Sequence, residues 1–452
     1  MNNRNIQIFQ DTVMRLLHRG AQKNLQNLIE KSHAADLAQV IHLMDNDQDK
    51  RAIFGCADLQ KKAAILQELD IQETISLIEN LEYAQVVEIL QRMPSNVVTD
   101  IMGYLPQEVS EEILKLMEPQ GSEVIEELLK YPEDTAGGIM TTEFCALQVD
   151  TTVEETIRKL QTELELDHIF YVYVVNQGGQ LMGVLSLRKL LQAKPQTKIE
   201  EIMISDVIRV KADTDQEEVA KMVARYNLLA LPVVDEDNKL MGIVMVDDIV
   251  DIMREEATED ILKMGGAGDV EISERSSFKS ARSRLPWLFV SLLGGIVAFK
   301  VMSYFQVTLQ SATILAFFVP LMMGMSGNVA TQASTIVVSG LSTGKIRIKK
   351  IGWILWKELK VGLLFGVIYG LIVGAFANLQ YGGTFHNLGL VVGGALVISM
   401  TLAAFIGSIL PIVFEKFKID PALSTGPFVT TIADIFGIFI YLYLAMFIHG
   451  VS

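Results

Sequence analysis

One carboxylate stands inside an apolar stretch that is long enough to cross a lipid bilayer. Asp434 lies in the segment TTIADIFGIFIYLYLAMF, residues 430–447. An ionised carboxylate at the centre of a bilayer costs about 2.5–3.5 kcal/mol, and such residues mark the path of an ion or a proton by default. The sequence therefore predicts that Asp434 faces a cation or a proton rather than lipid.

Small and polar residues accompany Asp434 at helical spacing. On its own segment they are Gly426, Thr430, Ala433 and Gly437, and an earlier apolar segment carries a similar stripe of Asn328, Thr331, Gln332, Thr335, Ser339 and Ser342. In membrane helices such stripes either hydrogen-bond neighbouring helices together or line a cavity. The spacing leaves both interpretations open for Asn328 and Gln332.

A second concentration of carboxylates lies in VDDIVDIMREEATED, residues 246–260. At helical spacing Asp248, Asp251, Glu255, Glu256 and Glu259 fall on overlapping faces, where like charges repel. A solvated acidic surface is one interpretation. The other is a site for a divalent cation, because carboxylate oxygens suit Mg²⁺, Ca²⁺ and Mn²⁺.

The elements that must position these acids differ sharply in composition. From Leu285 onwards there are nine Lys/Arg and four Asp/Glu, whereas residues 1–284 contain 29 Lys/Arg and 50 Asp/Glu. Such asymmetry indicates separate domains in separate environments. The acidic part excludes nucleic acid as a partner, since phosphates would be repelled. Two cysteines and the lack of an apolar signal sequence predict that residues 1–284 stay in the cytosol.

Five apolar segments follow, each long enough to span a bilayer. They cover approximately residues 287–305, 307–341, 352–377, 388–414 and 427–449. The second is too long for one straight span, and Pro320 and the run GMSGN (324–328) suggest a break or an unwound turn. Lys and Arg before the first span and after the second and fourth predict a cytoplasmic N-terminus and an extracytoplasmic C-terminus. The chain is thus expected to be a multi-pass protein of the cell membrane.

The acidic part contains an internal repeat with a period of 59 residues. YVVNQGGQLMGVLSLRKLL (173–191) aligns without gaps on PVVDEDNKLMGIVMVDDIV (232–250). Each copy predicts strand, turn, strand and helix, preceded by an amphipathic helix, which indicates a duplicated α/β module. Residues 1–130 show helical periodicity with Pro94 and Pro106 twelve residues apart, which predicts a superhelical stack.

Taken together these parts resemble the MgtE family of magnesium channels. The resemblance rests on FVPLMMGMSGNVATQAS (318–334), ATEDILKMG (257–265), IDPALSTGPFVTTIADIFG (419–437) and the tandem repeat, which resembles a CBS pair. It implies a multidomain fold with an all-α superhelical N-terminal domain (1–130), an α/β tandem CBS pair (131–200 and 201–257), a connecting helix (258–281) and a five-helix α transmembrane domain (282–452). It also implies a homodimer with a non-enzymatic, ion-conducting role, with Mg²⁺ closing the pore when it binds the cytosolic acids.

The same resemblance assigns residues to sites. The pore-selective aspartate falls on Asp434, and pore-lining positions fall on Asn328, Gln332, Gly426, Thr430 and Ala433. Cytosolic magnesium-sensing acids fall on Asp100, Asp215, Glu217, Asp248, Asp251, Glu256, Glu259, Asp260 and Asp420. An adenine nucleotide such as ATP would contact Tyr171, Arg188, Pro232 and Asp248, although the first repeat has Lys189 where the family has an aspartate. Thr331 and Gly426 replace polar residues usual in the family.

Other functions remain open from the residues alone. One is transport of Co²⁺, Mn²⁺ or Ni²⁺, against which the absence of cysteine in the spans argues. Another is an intramembrane aspartyl hydrolase in which two Asp434 carboxylates share a proton. A third is a magnesium sensor that does not conduct. Ion flux through the purified protein, compared with an Asp434→Ala variant, separates all of these.

Overall fold

The structure is a computed structural model that describes residues 3–162, 170–267, 276–346, 351–381 and 387–449. The chain forms two compact units, Met1–Met253 and Arg254–Ser452. The first contains a helical stack and a pair of α/β modules. The second contains the apolar helices. Each unit is described by itself below.

Ten helices open the first unit. They are α1 Asn3–His18, α2 Gln22–Lys31, α3 Ala34–His42, α4 Asp47–Cys56, α5 Leu59–Gln67, α6 Ile71–Ile78, α7 Tyr83–Leu90, α8 Ser95–Tyr104, α9 Gln107–Leu116 and α10 Pro119–Leu128. Each helix packs against the helix two places further along the chain. This arrangement confirms the predicted superhelical stack.

The stack is built on a strict twelve-residue repeat, because each helix from α5 to α10 begins twelve residues after the one before. One aliphatic side chain per repeat fills the core with at most 3% exposure: Ile53, Ile65, Leu77, Ile89, Ile101, Ile113 and Ile125. The position before several of these helices holds a capping residue or proline, as at Asp58, Pro94 and Pro106. The proline spacing in the sequence was thus one part of a longer repeat.

Two three-stranded sheets with the same topology follow. The elements are α11 Ala136–Ile139, β1 Cys145–Gln148, α12 Val153–Thr162, β2 Tyr171–Val175, β3 Leu181–Ser186, α13 Leu187–Gln192, α14 Ile199–Ile202, β4 Val210–Lys211, α15 Gln216–Tyr226, β5 Ala230–Val234, β6 Leu240–Met245 and α16 Val246–Met264. In each sheet the first strand runs parallel and the third antiparallel to the middle one. Both sheets carry a register shift at equivalent valines. The 59-residue repeat is confirmed down to this irregularity.

The two α/β modules exchange short segments. Thr141 pairs with Ile243 of the second sheet, and Ile204 pairs with Val184 of the first. Met140 packs in the core of the second module and Met203 against that of the first. The predicted boundary between the two modules lies between residues 200 and 201. It assigns residues 201–204 to the second module, although Met203 and Ile204 contact the first.

Five helices of the second unit are long and apolar enough to cross a membrane. The elements are α17 Ser277–Tyr304, α18 Gln306–Ser311, a 3₁₀ helix Thr313–Phe318, α19 Val319–Ser342, α20 Ile351–Tyr381, α21 Leu388–Lys416, a second 3₁₀ helix Pro421–Ser424 and α22 Pro427–His449. Tyr441 fixes the first 3₁₀ helix, since its hydroxyl donates to the carbonyl of Leu315 over 2.9 Å.

The predicted break in the second apolar segment lies elsewhere than GMSGN. The chain departs from the α-helix at residues 312–318, whereas residues 324–328 are helical within α19. Pro320 occupies the first turn of α19, where a missing N–H breaks no helical hydrogen bond. A helix over 258–281 was also predicted. In the structure α16 covers 258–264, residues 268–275 lie outside the described residues, and α17 begins at Ser277.

Helices α20 and α21 approach each other backbone to backbone. Glycines recur every fourth residue on α20, at Gly362, Gly366, Gly370 and Gly374. A Cβ added to Gly370 would lie 2.6 Å from the carbonyl oxygen of Gly393, and one added to Gly393 would lie 2.6 Å from that of Gly370. Small residues at a membrane helix interface permit this approach, and here they leave no space for a side chain.

We expect Gly393→Ala to destabilise the membrane part, whereas the neighbouring Gly394→Ala should not. Overpacking typically costs about 1–3 kcal/mol. Nothing lies within 4 Å of a Cβ at Gly394, so alanine there should be neutral or favour the helix by up to about 1 kcal/mol. Thermal unfolding in detergent, followed by size-exclusion chromatography, measures the difference. Equal melting temperatures for the two variants would contradict the close backbone approach.

Candidate ion pathway and acidic sites

Asp434 lies at the contact between α19 and α22. A Cβ added to Gly327 of α19 would be 3.2 Å from Oδ1 of Asp434 and 3.8 Å from Cβ of Thr430. Oδ1 of Asp434 is buried and has no hydrogen-bond partner within the described part of the chain. An ionised oxygen in that state is costly unless a cation or a proton neutralises it. Because Gly327 has no side chain, the backbone of α19 lies close to the Asp434 carboxylate. It donates no hydrogen bond to Oδ1.

The polar stripe of α19 divides into exposed and internally bonded residues. Asn328, Gln332, Thr335 and Ser339 are exposed on one face of this apolar helix. Thr331 instead donates its hydroxyl proton to the carbonyl of Gly327, over 3.0 Å. Because exposed amides on a membrane helix require polar surroundings, this face of the unit is suited to water or to another polar protein surface.

Two predicted pore-lining residues have different roles in the described structure. Ala433 is only 2% exposed and packs with Ala330, Ala403 and Val429, so it belongs to the helix packing and not to an accessible surface. Its side chain points about 100° away from that of Asp434 around α22. Gly426 has φ +60°, and an added Cβ would clash with the carbonyl of Met264. This position therefore requires glycine, which explains the departure from the polar residue usual in the family.

A different acidic site joins the helical stack to the second α/β module. The Asn96 amide donates to Oδ2 of Asp248 over 3.4 Å, while the buried Oδ1 of Asn96 has no hydrogen-bond partner among the described residues. Asp100 follows Asn96 by one turn on α8. Burial, together with the carboxylates of Asp247 and Asp251, raises the pKa of Asp248 to about 7. An orphaned amide oxygen beside a carboxylate fits a hard divalent cation such as Mg²⁺.

Glu143 fixes the same contact. Its carboxylate accepts the backbone N–H of Ser95 at 3.1 Å and the Ser95 hydroxyl at 3.2 Å, and Thr141 also donates to it. Burial raises the pKa of Glu143, and the hydrogen bonds from Ser95 oppose this shift. The N-terminus of α8 is thus anchored beside the module that carries Asp248.

Of the other first-unit acids that the resemblance predicts to sense magnesium, Asp215 and Glu217 have local partners. Asp215 caps α15 by accepting the N–H of Glu217 at 2.8 Å, and Glu217 pairs with Lys221 at 2.8 Å. Asp251 is exposed on α16. The structure therefore brings Asp248 to Asn96 of α8, while the side-chain contacts described for Asp215 and Glu217 are local to α15.

In the second unit Glu259, Asp260 and Asp420 lie around the end of α16. Asp260 accepts the hydroxyl of Ser342 at 2.9 Å, and Lys263 pairs with Asp420 at 2.8 Å and with Glu259. Glu256 is partly exposed one turn earlier. A lysine thus stands between two of the acids predicted to sense magnesium.

The residues predicted to hold a nucleotide lie at the two sheets. Tyr171 packs against a cluster that contains Ala230 and Ile243 of the second module, Pro232 is buried in β5, and Arg188 is exposed at the start of α13. Asp248 faces Asn96 instead. Tyr171 therefore lies where the two modules meet, and Asp248 is already engaged by the helical stack.

Several residues at these sites were not predicted from sequence. Asn96, Glu143 and Lys263 act through contacts that are 48 to 157 residues apart along the chain. A further group, His42, Asp70 and Glu73, brings its ligand atoms within 4.8 Å of one another. Lys50 already pairs with Glu73 there, at 2.6 Å. Among these residues, Asp70 is the one with a signal in the sequence. The twelve-residue repeat aligns it with Asn46 and Asp58, which cap the starts of other helices.

Comparison with known proteins covers both units. A family model described as a divalent cation transporter, MgtE, matches residues 319–444, a model of the MgtE intracellular N domain matches 32–134, and CBS domain models match 136–195 and 199–255. The magnesium transporter MgtE of Bacillus subtilis is 37% identical over 328 residues, which is 72% of each chain. That of Thermus thermophilus is 40% identical over 326 residues, 71% of each chain.

Two solved structures are similar to about half of this chain. The cytosolic domain of the Mg²⁺ channel MgtE in complex with ATP matches with a TM-score of 0.51 and 34% identity, covering 54% of this chain and 99% of that chain. A second, the soluble part of a magnesium transporter, has a TM-score of 0.51 and 28% identity, covering 56% of this chain and 99% of that chain. These matches confirm the N-terminal helical domain and the CBS pair.

The raised pKa of Asp248 predicts a pH dependence of stability in the absence of divalent cations. The folded protein keeps a proton on Asp248 up to about pH 7, whereas the unfolded chain loses it near the ordinary value of about 3.9. Stability should therefore fall as pH rises between these values. Asp248→Asn, which stays neutral, should be more stable than the wild type at pH 8 by at least about 1 kcal/mol, since one pKa unit corresponds to about 1.4 kcal/mol.

Thermal unfolding in a chelating buffer at pH 5 and pH 8 measures this effect. The advantage of Asp248→Asn should be smaller at pH 5 than at pH 8, because stability is lost progressively between the unfolded pKa of about 3.9 and the folded pKa of about 7. Asp251→Asn, at an exposed position on the same helix, is the matched control and should show a smaller difference. An equal pH dependence in all three proteins would contradict the burial of a protonated Asp248.

Proposed function

We propose that this chain, which belongs to the MgtE family of magnesium transporters, imports Mg²⁺ across the cell membrane through a pore whose selective group is Asp434. The family membership rests on relatives that share more than a third of their residues over most of both chains. The chain is a multi-pass membrane protein, and the relatives that match it over about 70% of its length are magnesium transporters. The observation that carries the pore assignment is the buried Oδ1 of Asp434 without a hydrogen-bond partner.

Mg²⁺ chemistry accounts for a site with so few ligands. The ion gives up its water reluctantly and is commonly held through one or two carboxylates. Asp434 and the exposed amides of Asn328 and Gln332 offer oxygen atoms to the hydration shell of such an ion. The charge cost of Asp434 in the membrane is then offset by the ion and its water. Co²⁺ and Ni²⁺ are weaker candidates as cargo, because the side chains described next to Gly327 are the carboxylate of Asp434 and Thr430, not the imidazole or sulfur ligands that softer ions prefer. Mn²⁺ and Ca²⁺ share the preference of Mg²⁺ for oxygen ligands.

We infer that two chains form the pore as a homodimer. One carboxylate per chain is a weak site, and a twofold axis supplies a second. The exposed polar face of α19, with Asn328, Gln332, Thr335 and Ser339, supports this assembly because it would otherwise meet lipid. The Lys and Arg residues before the first span and after the second and fourth support a cytoplasmic N-terminus and an extracytoplasmic C-terminus.

Replacement of Asp434 tests the pore. Asp434→Asn keeps the shape of the side chain and removes its charge, so Mg²⁺ flux into liposomes should fall at least about tenfold, which corresponds to about 1.4 kcal/mol. Expression and chromatographic behaviour should stay normal, since a buried charge is removed. Normal flux in Asp434→Asn would show that another group selects the ion.

The matched control is Glu415→Gln, an exposed acid in the last turn of α21, which should transport normally. The mass of the same preparations is measured by light scattering in detergent. A monodisperse monomer that still transports Mg²⁺ would contradict the dimer. Absence of flux in the wild type would favour a magnesium sensor that does not conduct.

We also infer that cytosolic Mg²⁺ closes the pore by binding the acids of the first unit. The best supported site contains Asn96, Asp100 and Asp248, because an amide oxygen without a partner lies beside a carboxylate. Above about pH 7, where Asp248 is ionised, these acids repel one another when no cation is bound, and a bound ion would favour the compact arrangement. Closure requires that Mg²⁺ bind the closed state better than the open one.

The expected result is loss of shut-off in a variant with Asp100, Asp248 and Asp251 all replaced by Asn. Wild-type flux should fall as Mg²⁺ on the cytosolic side rises into the millimolar range, whereas the variant should continue to conduct. Limited proteolysis should show Mg²⁺-dependent protection of the wild-type cytosolic part alone. Glu108→Gln/Glu111→Gln on exposed positions of α9 is the control. Unchanged shut-off in the triple variant would mean that these acids form only a solvated surface.

An adenine nucleotide is a further proposed ligand. Support comes from the similar cytosolic domain whose structure contains ATP and from Tyr171 at the junction of the two modules. Arg188 supplies a positive charge for phosphate, and Pro232 lies on the strand beside the cluster. Because Asp248 is engaged by Asn96, the ribose contact expected of it competes with the site of the helical stack.

A further inference from the structure

The end of α16 lies directly against the start of the fifth span. Gly426 has no room for a Cβ because of the carbonyl of Met264, and Cγ of Pro427 lies 3.0 Å from a Cβ placed on Gly266. Both glycines have positive φ, +60° and +73°. The turn at residues 264–266 therefore contacts the first residues of α22, the helix that carries Asp434.

Lys263 precedes this turn and holds it by charge. Its ammonium group pairs with Oδ2 of Asp420 at 2.8 Å and with Glu259 one helical turn earlier. The three side chains are 20%, 32% and 29% exposed, in the order Lys263, Asp420 and Glu259. Burial alone would lower the pKa of Lys263, but the hydrogen bonds and charges of Asp420 and Glu259 raise it well above its usual range. The side chain is therefore an ammonium ion at any physiological pH.

The second oxygen of Asp420 is also engaged. Oδ1 accepts the backbone N–H of Ala422 at 2.8 Å and so caps the 3₁₀ helix Pro421–Ser424. One oxygen of this carboxylate thus binds the backbone and the other binds Lys263. A divalent cation at this place would have to displace the ammonium group and would meet its positive charge. Because both oxygens of Asp420 are engaged, the site with Lys263 in place does not fit Mg²⁺. The site at Asn96 differs, since its buried Oδ1 has no hydrogen-bond partner among the described residues.

We propose that Lys263 is the resident cation of the site formed by Glu259 and Asp420, in place of the Mg²⁺ that the family resemblance assigns there. The ammonium group is part of the chain, so it needs no dissolved ion to join the end of α16 to the loop before the fifth span. Lys263 thereby determines the specificity of this site and removes it from the set of magnesium sensors. The inference rests on the proposed function in one respect: it removes Glu259 and Asp420 from the acids that would sense Mg²⁺.

Counting bound Mn²⁺ by electron paramagnetic resonance on the full-length protein in detergent tests this assignment. Mn²⁺ is used because it is a paramagnetic ion with oxygen ligands similar to those of Mg²⁺. In the wild-type background Asp420→Asn should leave the number of bound Mn²⁺ unchanged. Lys263→Met should gain about one Mn²⁺ per chain, and Lys263→Met/Asp420→Asn should lose that gain.

A stability measurement guards against variants that simply misfold. In chelator, Lys263→Met should melt at a lower temperature than the wild type, because two carboxylates are left facing each other. Added Mg²⁺ should restore the melting temperature of Lys263→Met and leave Lys263→Met/Asp420→Asn unrestored. Lys115→Met, which removes an exposed partner of Glu112, is the matched control and should behave as the wild type in both assays.

The outcomes separate this inference from the proposed transport. Loss of a Mn²⁺ on Asp420→Asn in the wild-type background would overturn the assignment, because the site would then hold a divalent ion beside the lysine. Failure of Lys263→Met to gain a Mn²⁺ would overturn it as well. Neither assay measures flux, so a defect in the transport proposal would appear in the Asp434 variants and not here.

Discussion

Every carboxylate that leaves bulk water must be neutralised, and this requirement organises the acidic sites of the chain. Asp248 lies beside the amide of Asn96. The pKa of the Asp248 carboxyl is about 7, so a proton neutralises it below that pH when no metal is bound. Asp420 is neutralised by the ammonium group of Lys263 at 2.8 Å. Asp434 has an oxygen with no described partner. Of these three acids, Asp434 is thus the one whose described surroundings supply neither a hydrogen bond to Oδ1 nor a neighbouring ammonium group, so that a cation or a proton has to neutralise it.

The packing around Asp434 follows from small residues. Gly327 brings the backbone of α19 close to the carboxylate, and a Cβ on Gly437 would lie 3.0 Å from the hydroxyl of Ser326. The Ser326 hydroxyl is itself buried without a partner in the described chain. Larger side chains would separate the helices and fill the space beside the carboxylate with hydrocarbon. The small residues therefore keep α19 and α22 together and also keep the surroundings of the acid polar.

Much of the fold could be predicted because its signals are local. The 59-residue repeat, the five apolar segments and the position of Asp434 in the last one depend on residues close together in sequence. The exchange of Met140 and Met203 between modules could not be predicted in this way, since it depends on which sheet each segment joins. The burial of Ala433 depends on helix rotation, which a stripe of small residues does not define. The pairing of Lys263 with Asp420 spans 157 residues, and an acidic pattern gives no sign of it.

The Lys263 ammonium is a cation attached to the chain, whereas Mg²⁺ is dissolved. This difference affects how steeply the conformation would depend on the Mg²⁺ concentration. A ligand shifts a conformational equilibrium only by its difference in affinity for the two states, and a change from 1:99 to 99:1 takes about 5.5 kcal/mol. The ion pair between Lys263 and Asp420 does not depend on the concentration of any dissolved ion that binds there. Its contribution to the free energy of that equilibrium is therefore constant. In the gating that we propose, sites such as Asn96 and Asp248 would supply the variable part. A metal bound at Asp248 would also have to displace a proton, since the folded carboxyl has a pKa of about 7. Mg²⁺ and protons would then compete for the same oxygen, and by linkage the affinity for Mg²⁺ at this site would rise as the pH increases towards neutrality.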